Sequence, residues 1–321
     1  MNLQSPKLYS LSLLITLLVG GAYALFPIIG QQWELYFFVM VMLTTGIPHG
    51  ATDHIVYQFE HKKQGLKPSW MTFFGTYLGA MILYSICWYF FPLVSLGIFL
   101  LISAFHFGQS QLLFMDWKEL HPMKVILYIS WGMMILLGII GFHIEESMII
   151  LASLFEGMNI EISHEMITRA TVATGMVWFA SMMVSLITEK ISGIAFFFEL
   201  MNVAVLLAVS SFTSLLLSFA LYFGLWHSLA SISHEIQIIK QEDINFNWKQ
   251  FVKSALPFSL ISFAGIAILL LIGQWLHAIV SPYLLFFIAI STLTLPHMVF
   301  MQRLYAKGNQ SSKQSPTVEV G

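Results

Sequence analysis

The stretch ELYFFVMVMLTTGIPHGATDHIVY, residues 34–57, decides how this chain is read. It opens as an apolar run of the kind that crosses a membrane, and the same segment then carries His49, Asp53 and His54. Ionisable side chains are costly among lipid tails, and within membrane helices they face a functional interior. Three further histidines stand inside comparable apolar runs: His106, His227 and His297. One buried histidine has an ordinary explanation as a hydrogen-bonded core residue. Four call for another.

The rest of the composition agrees with a membrane reading. Hydrophobic residues make up 58% of the 321 and charged residues only 9%, against about 25% charge in ordinary soluble domains. A hydrocarbon core of about 30 Å takes roughly 20 apolar residues per helix. Helices are expected over 8–28, 34–57, 70–90, 93–115, 123–142, 167–188, 191–209, 212–235, 254–277 and 282–304. The fold class is an all-α polytopic membrane bundle of about ten transmembrane helices. Residues 1–305 form one domain, and 306–321 form a disordered cytoplasmic tail. Of the 14 lysines and arginines only Arg169 falls on the second side of the membrane. The positive-inside rule makes the crowded side cytoplasmic, with both termini there.

Ala22-Tyr23-Ala24 resembles a signal-peptide cleavage site, whose use would remove residues 1–24 and the first helix. The acidic stretch 144–166, with Ile144, Met148, Leu151 and Phe155 at helical spacing, is expected to lie on the outer membrane surface. A net charge of −2 gives no support for nucleic-acid binding. Cys87 is the only cysteine, so no disulfide or thiolate cluster can form within one chain.

The four histidines lie on the second, fourth, eighth and tenth helices, all running from outside to inside. Each stands about 13–15 residues, roughly 20 Å at 1.5 Å per residue, from the outer start of its helix. Their common depth points to a metal site, for which neutral imidazole suits Fe, Zn, Cu and Ni. By contrast, His61, His121 and His164 fall in loops and His143 and His277 at outer helix ends, where they read as surface residues.

The neighbouring residues extend this reading. Asp53 follows His49 by four positions on one helical face, placed to accept the N–H of that ring, while His54 is rotated away. Gln109, three residues after His106, is expected to bond a ligand or a bound oxygen. Glu199 in the seventh helix is either an outer partner of a ligand or a carboxyl paired for structure. Pro48 and Pro296 each precede a histidine and free the carbonyl four residues back. Gly46, Gly50 and Gly108 permit close backbone approach. The shared pattern Thr44…Pro48-His49 and Thr292…Pro296-His297 is too weak to establish a repeat. HxxxH, HxxHH, HExxH, P-loop and GxGxxG motifs are all missing, which discounts the usual di-iron, zincin and nucleotide chemistries.

Gly46-Ile-Pro-His-Gly-Ala-Thr-Asp-His54, Ser103-Ala-Phe-His-Phe-Gly108, Tyr222-Phe-Gly-Leu-Trp-His-Ser228 and Leu295-Pro-His297 resemble the Brp/Blh family. Its members are the bacterial and archaeal β-carotene 15,15′-dioxygenases. The resemblance runs from 46 to 297 in the expected order. It implies an iron-dependent enzyme of the cell (inner) membrane that cleaves the central double bond of β-carotene with O₂, giving two molecules of retinal. The cofactor implied is Fe(II), and the product implies a functional link to a retinal-binding rhodopsin.

In that family His49, His106 and His227 match proposed iron ligands. A further histidine usually follows the third by four residues, where this chain has Ser231. His297 competes for the fourth place by depth, and His234 by neighbourhood. Seven residues of helix put His234 roughly 10 Å from His227 along the axis, so His297 is expected. The chemistry agrees, since ground-state O₂ reacts with a closed-shell alkene through a redox-active metal, which Zn²⁺ is not. Three rival readings stand beside it. One is a haem-b electron-transfer protein with paired histidine ligands. Another is a proton-coupled transporter with a His–Asp relay, against which the lack of a broken-helix inverted repeat counts. The third is a chaperone for a retinal protein.

Overall fold

Ten helical spans in the computed structural model are long and apolar enough to cross a bilayer, among the described residues. The structure describes residues 6–113, 122–151, 154, 162–241, 243–275 and 281–311, with side chains from 8 to 305. The first span is α1 (Pro6–Leu25). The second starts at once with α2 (Pro27–Val41), seven residues ahead of the expected 34, because Pro27 both stops α1 and opens the next helix. Proline suits that first helical position, where its missing N–H is not needed. After α3 (Asp53–Lys63) come α4 (Trp70–Phe90) and α5 (Pro92–Gln111). The chain continues through α6 (Pro122–Phe142), the short α7 (Ile144–Leu151) and α8 (His164–Ile187). Next are α9 (Gly193–Ser210), α10 (Leu215–Ala220), α11 (Leu229–Ile239), α12 (Trp248–Trp275) and α13 (Pro282–Ser311).

Serine hydroxyls set several of the starts. Ser69, Ser163, Ser192 and Ser214 each accept the backbone N–H three residues on, satisfying a donor that the first helical turn leaves open. The Ser163 cap explains why α8 begins at His164 rather than at 167. At the other end α13 continues to Ser311, past the tail boundary expected at 305, although its membrane span closes at Tyr305. Among the described residues of the outer stretch 144–166, α7 covers the first turns and α8 begins at the end. Phe155, like His121 and His277, lies outside the described residues.

Two spans are not continuous α-helix, contrary to the expectation from hydropathy. Between α2 and α3 lie a π-turn, Met42–Gly46, and a 3₁₀ turn, Pro48–Gly50. Between α10 and α11 the backbone is π-helical over Leu221–Ser228. Such π segments insert a residue into the helical repeat and concentrate at functional sites. At Gly224 the second π segment packs on the junction of α2 with the first, where an added Cβ would collide with the Val41 side chain and press on Thr45.

The tightest crossing joins α5 to α6. A Cβ on Gly108 would run into the Tyr128 carbonyl, and one on Gly132 into the Ala104 carbonyl, so the two backbones meet directly. This is the close approach that small residues allow in membrane helices. Around that crossing Tyr128, Trp131, Tyr222 and Trp226 are fully buried. On the opposite flank α4 and α12 each pack on α13, leaving a cleft between them.

Candidate metal centre

The two broken spans deliver two of the four histidines. At the first break Ile47 N–H bonds back five residues to the Met42 carbonyl, and Pro48 then tightens the chain into the 3₁₀ turn that carries His49. At the second, His227 is the penultimate residue of the π segment. His106 comes from α5 two residues before the Gly108 crossing, and His297 follows Pro296 inside the unbroken α13. Pro48 and Pro296 therefore do different things, and the two Thr…Pro-His patterns share no backbone geometry.

All four rings are buried, 2–6% exposed, and they close a circuit. Ring centroids are 4.8 Å apart for His49–His297, 5.5 Å for His297–His106, 4.9 Å for His106–His227 and 5.2 Å for His227–His49. Adjacent rings stand nearly perpendicular, at 76–89°. Nitrogens at about 2.1 Å from one ion hold neighbouring ring centroids roughly 5 Å apart, and the four adjacent pairs bracket that spacing. Among the described residues no three donors already stand as a finished metal cage.

Hydrogen bonds engage Nδ1 in three of the four rings. His49 Nδ1 faces the Gly46 carbonyl, and a carbonyl only accepts, so Nδ1 carries the proton. Ser110 spends its single hydroxyl proton on the Phe107 carbonyl at 3.0 Å. Its oxygen therefore accepts from His227 Nδ1, also at 3.0 Å. His297 Nδ1 donates to Asp53 Oδ1 at 2.8 Å. In each case Nδ1 is engaged and Nε2 is the nitrogen left for a metal, the arrangement of metal-binding imidazoles oriented by an outer acceptor. Nε2 of His227 and of His297, and both nitrogens of His106, are buried with no hydrogen-bond partner.

The expected neighbours are placed unevenly. Asp53 does orient a ring of the circuit, but that of His297 rather than His49. The 3₁₀ turn removes the α-helical register on which the i+4 expectation rested. Gln109 donates to Gln302 at 2.6 Å instead of to the circuit. Glu199 accepts from Trp131, Gln111 and Asn202 at 2.7, 3.0 and 3.4 Å, a separate buried polar cluster and the paired-for-structure alternative. His234 lies outside the circuit, its ring 6.5 Å from Tyr305. Ser231, where the resembling family carries histidine, is buried and receives the Tyr305 hydroxyl at 3.5 Å. His54 packs on Phe258 at 4.4 Å, and Gly50 has His297 at ordinary contact distance from an added Cβ.

Several partners had no sequence signal. Ser110 and Tyr77, which donates to Asp53 Oδ2 at 3.0 Å, are unremarkable polar residues in apolar helices. Tyr305 lies parallel to the His106 ring at 6.4 Å. Phe223 stacks on His227 at 5.5 Å, and this pair alone had a cue, being four apart in the Tyr222–Ser228 motif. Thr52 donates to the buried Glu235 at 2.9 Å.

A cavity of about 750 Å³ opens beside the circuit, with His49, Asp53 and His297 on one wall and α4, α12 and α13 supplying the rest, chiefly apolar. It is within the size range of small-molecule sites. A second cavity of about 420 Å³ continues from it along α4 toward Tyr89 and Phe90. The arrangement thus joins a set of buried imidazoles to an apolar chamber within the membrane span. A family model described as "Beta-carotene 15,15'-dioxygenase" matches residues 40–305, most of the chain. No curated protein and no solved structure matches it.

Proposed function

Because the chain belongs to the β-carotene 15,15′-dioxygenase family, whose activity it carries, we propose that His49, His106, His227 and His297 hold one non-haem Fe(II) and that O₂ is the co-substrate. The circuit of four buried rings carries this reading. Buried polar nitrogens left without partners are destabilising by about 1–3 kcal/mol each, and a cation at the centre would take one nitrogen from each ring. The donor set is all-imidazole, which suits iron, and the aspartate beside it offsets part of the charge. Four rings set edge to face leave no slot for a porphyrin plane between facing histidines, which disfavours a haem.

Bound there, Fe(II) supplies the redox-active centre that spin-paired alkenes need in order to react with O₂. The chain's own residues position and enclose. The Gly46 carbonyl, Ser110 and Asp53 fix three ring orientations through Nδ1, and Tyr77 steadies Asp53. The apolar cavity seats the polyene against His49 and His297 and keeps water away from the reacting double bond. As a multi-pass protein it would lie in the cell (inner) membrane with both termini cytoplasmic, releasing retinal to a retinal-binding rhodopsin in the same bilayer. Expression in β-carotene-producing bacteria tests the proposal. Retinal is expected from the wild type and none from His49→Ala, His106→Ala or His227→Ala at equal membrane levels. Near-normal retinal from any of the three would remove that residue from the ligand set.

A further inference from the structure

We propose that the gap between α4 and α12 is the lateral doorway of the carotenoid. One half of the polyene lies in the outer arm of the cleft along α4, and the other half leaves toward the lipid between the two helices. This rests on β-carotene as substrate and not on the identity of the metal.

The cleft is lopsided about the histidines. Tyr77, bonded to Asp53, marks their level on α4. From there the cleft runs outward past Ser85, and with the second cavity to Phe90, which is roughly 12 Å and then roughly 20 Å of helix. Inward it ends about 5 Å away at Phe73 and Phe74, three or four residues back. A C40 carotenoid is about as long as the roughly 30 Å hydrocarbon core of a bilayer. Central cleavage therefore asks for roughly half that length on each side of the histidines. The outer arm accommodates it. The inner arm does not.

The inner end is closed by Phe258, stacked on Phe74 at 6.2 Å and packed at a tilt on His54 at 4.4 Å. That aromatic pair is the bridge between α4 and α12, which otherwise pack on α13 and flank the opening. Leu78 and Ile261 on its two sides are 53% and 66% exposed, so the gap faces the lipid. Its wall also contains Gly265, around which an added Cβ would meet nothing within 4 Å. A large side chain there fills the seat without touching the backbone of another helix. Gly79 on α4 has the same empty surroundings but does not line either cavity.

Titrating the full-length, metal-free protein with β-carotene, followed by tryptophan quenching, tests the doorway. Gly265→Phe is expected to weaken binding about tenfold or more, with Gly79→Phe binding as wild type. Wild-type affinity in Gly265→Phe, or equal loss in Gly79→Phe, overturns the proposal. A smaller change guards against misfolding. In a Cys87→Ser background, Gly265→Cys should react with a lipid-soluble maleimide, and β-carotene should slow that reaction. Labelling at one rate with and without carotenoid also overturns it. If carotenoid binding follows this pattern while iron is never retained by any form of the protein, the doorway stands and the iron reading falls.

Discussion

His106 sits deep in the bundle with neither ring nitrogen bonded, and the other three rings of the circuit each spend Nδ1 on an acceptor outside it. The inward-facing lone pairs have no use in a metal-free core. His297→Ala should therefore remove iron, whereas His234→Ala should leave occupancy near wild type. Metal analysis of the two purified variants decides between them, and the reverse order would put His234 in the site. Asp53→Asn should weaken iron affinity by about 10–100-fold, because it disturbs the orientation of His297 without deleting a donor. A competitive chelator titration reads that change, and an unaltered affinity would leave Asp53 a purely structural partner of Tyr77. The four histidines were legible from their shared depth in the sequence. The partner of Asp53 was not, since assigning it to His49 assumed an α-helix through a segment that turns as 3₁₀.

Hydropathy placed the spans well, because an apolar run of bilayer length has few other fates. What it could not convey was the local backbone. The segments Met42–Gly46 and Leu221–Ser228 are as apolar as their flanks, and a π-turn leaves the composition unchanged. Pro48 and Pro296 show the limit from the other direction, one in a break and the other inside a continuous helix. Gly108 was noted as a point of close approach, and the structure gives that approach a partner in the Tyr128 backbone. Gly108→Ala should force α5 away from α6, overpacking that typically costs about 1–3 kcal/mol, and should shift His106 with it. The expected result is a lower melting temperature in detergent together with reduced iron occupancy. A variant that melts and binds iron like the wild type would mean the crossing has room for a methyl group.

At the scale of the whole molecule, ten spans return the chain to the side from which it started. From the lysine and arginine distribution we propose that this side is cytoplasmic. Cysteines introduced one at a time near each end, in a Cys87→Ser background, should resist a membrane-impermeant maleimide in intact cells and react after lysis. Reaction at either end before lysis would reverse the topology. The bundle and its span count were readable from composition, but the cleft between α4 and α12 was not. It depends on which helices decline to pack, and phenylalanines facing a substrate look the same in sequence as phenylalanines facing lipid.

Iron-edge X-ray absorption of the reduced, iron-loaded protein measures directly whether one iron is held by four imidazoles and nothing softer. The expected spectrum has a shell of nitrogen or oxygen scatterers at roughly the 2.0–2.2 Å of imidazole ligands, with the outer-shell pattern of several histidines, diminished in His297→Ala. A sulfur shell, a porphyrin pattern, or a spectrum unchanged in His297→Ala would contradict it.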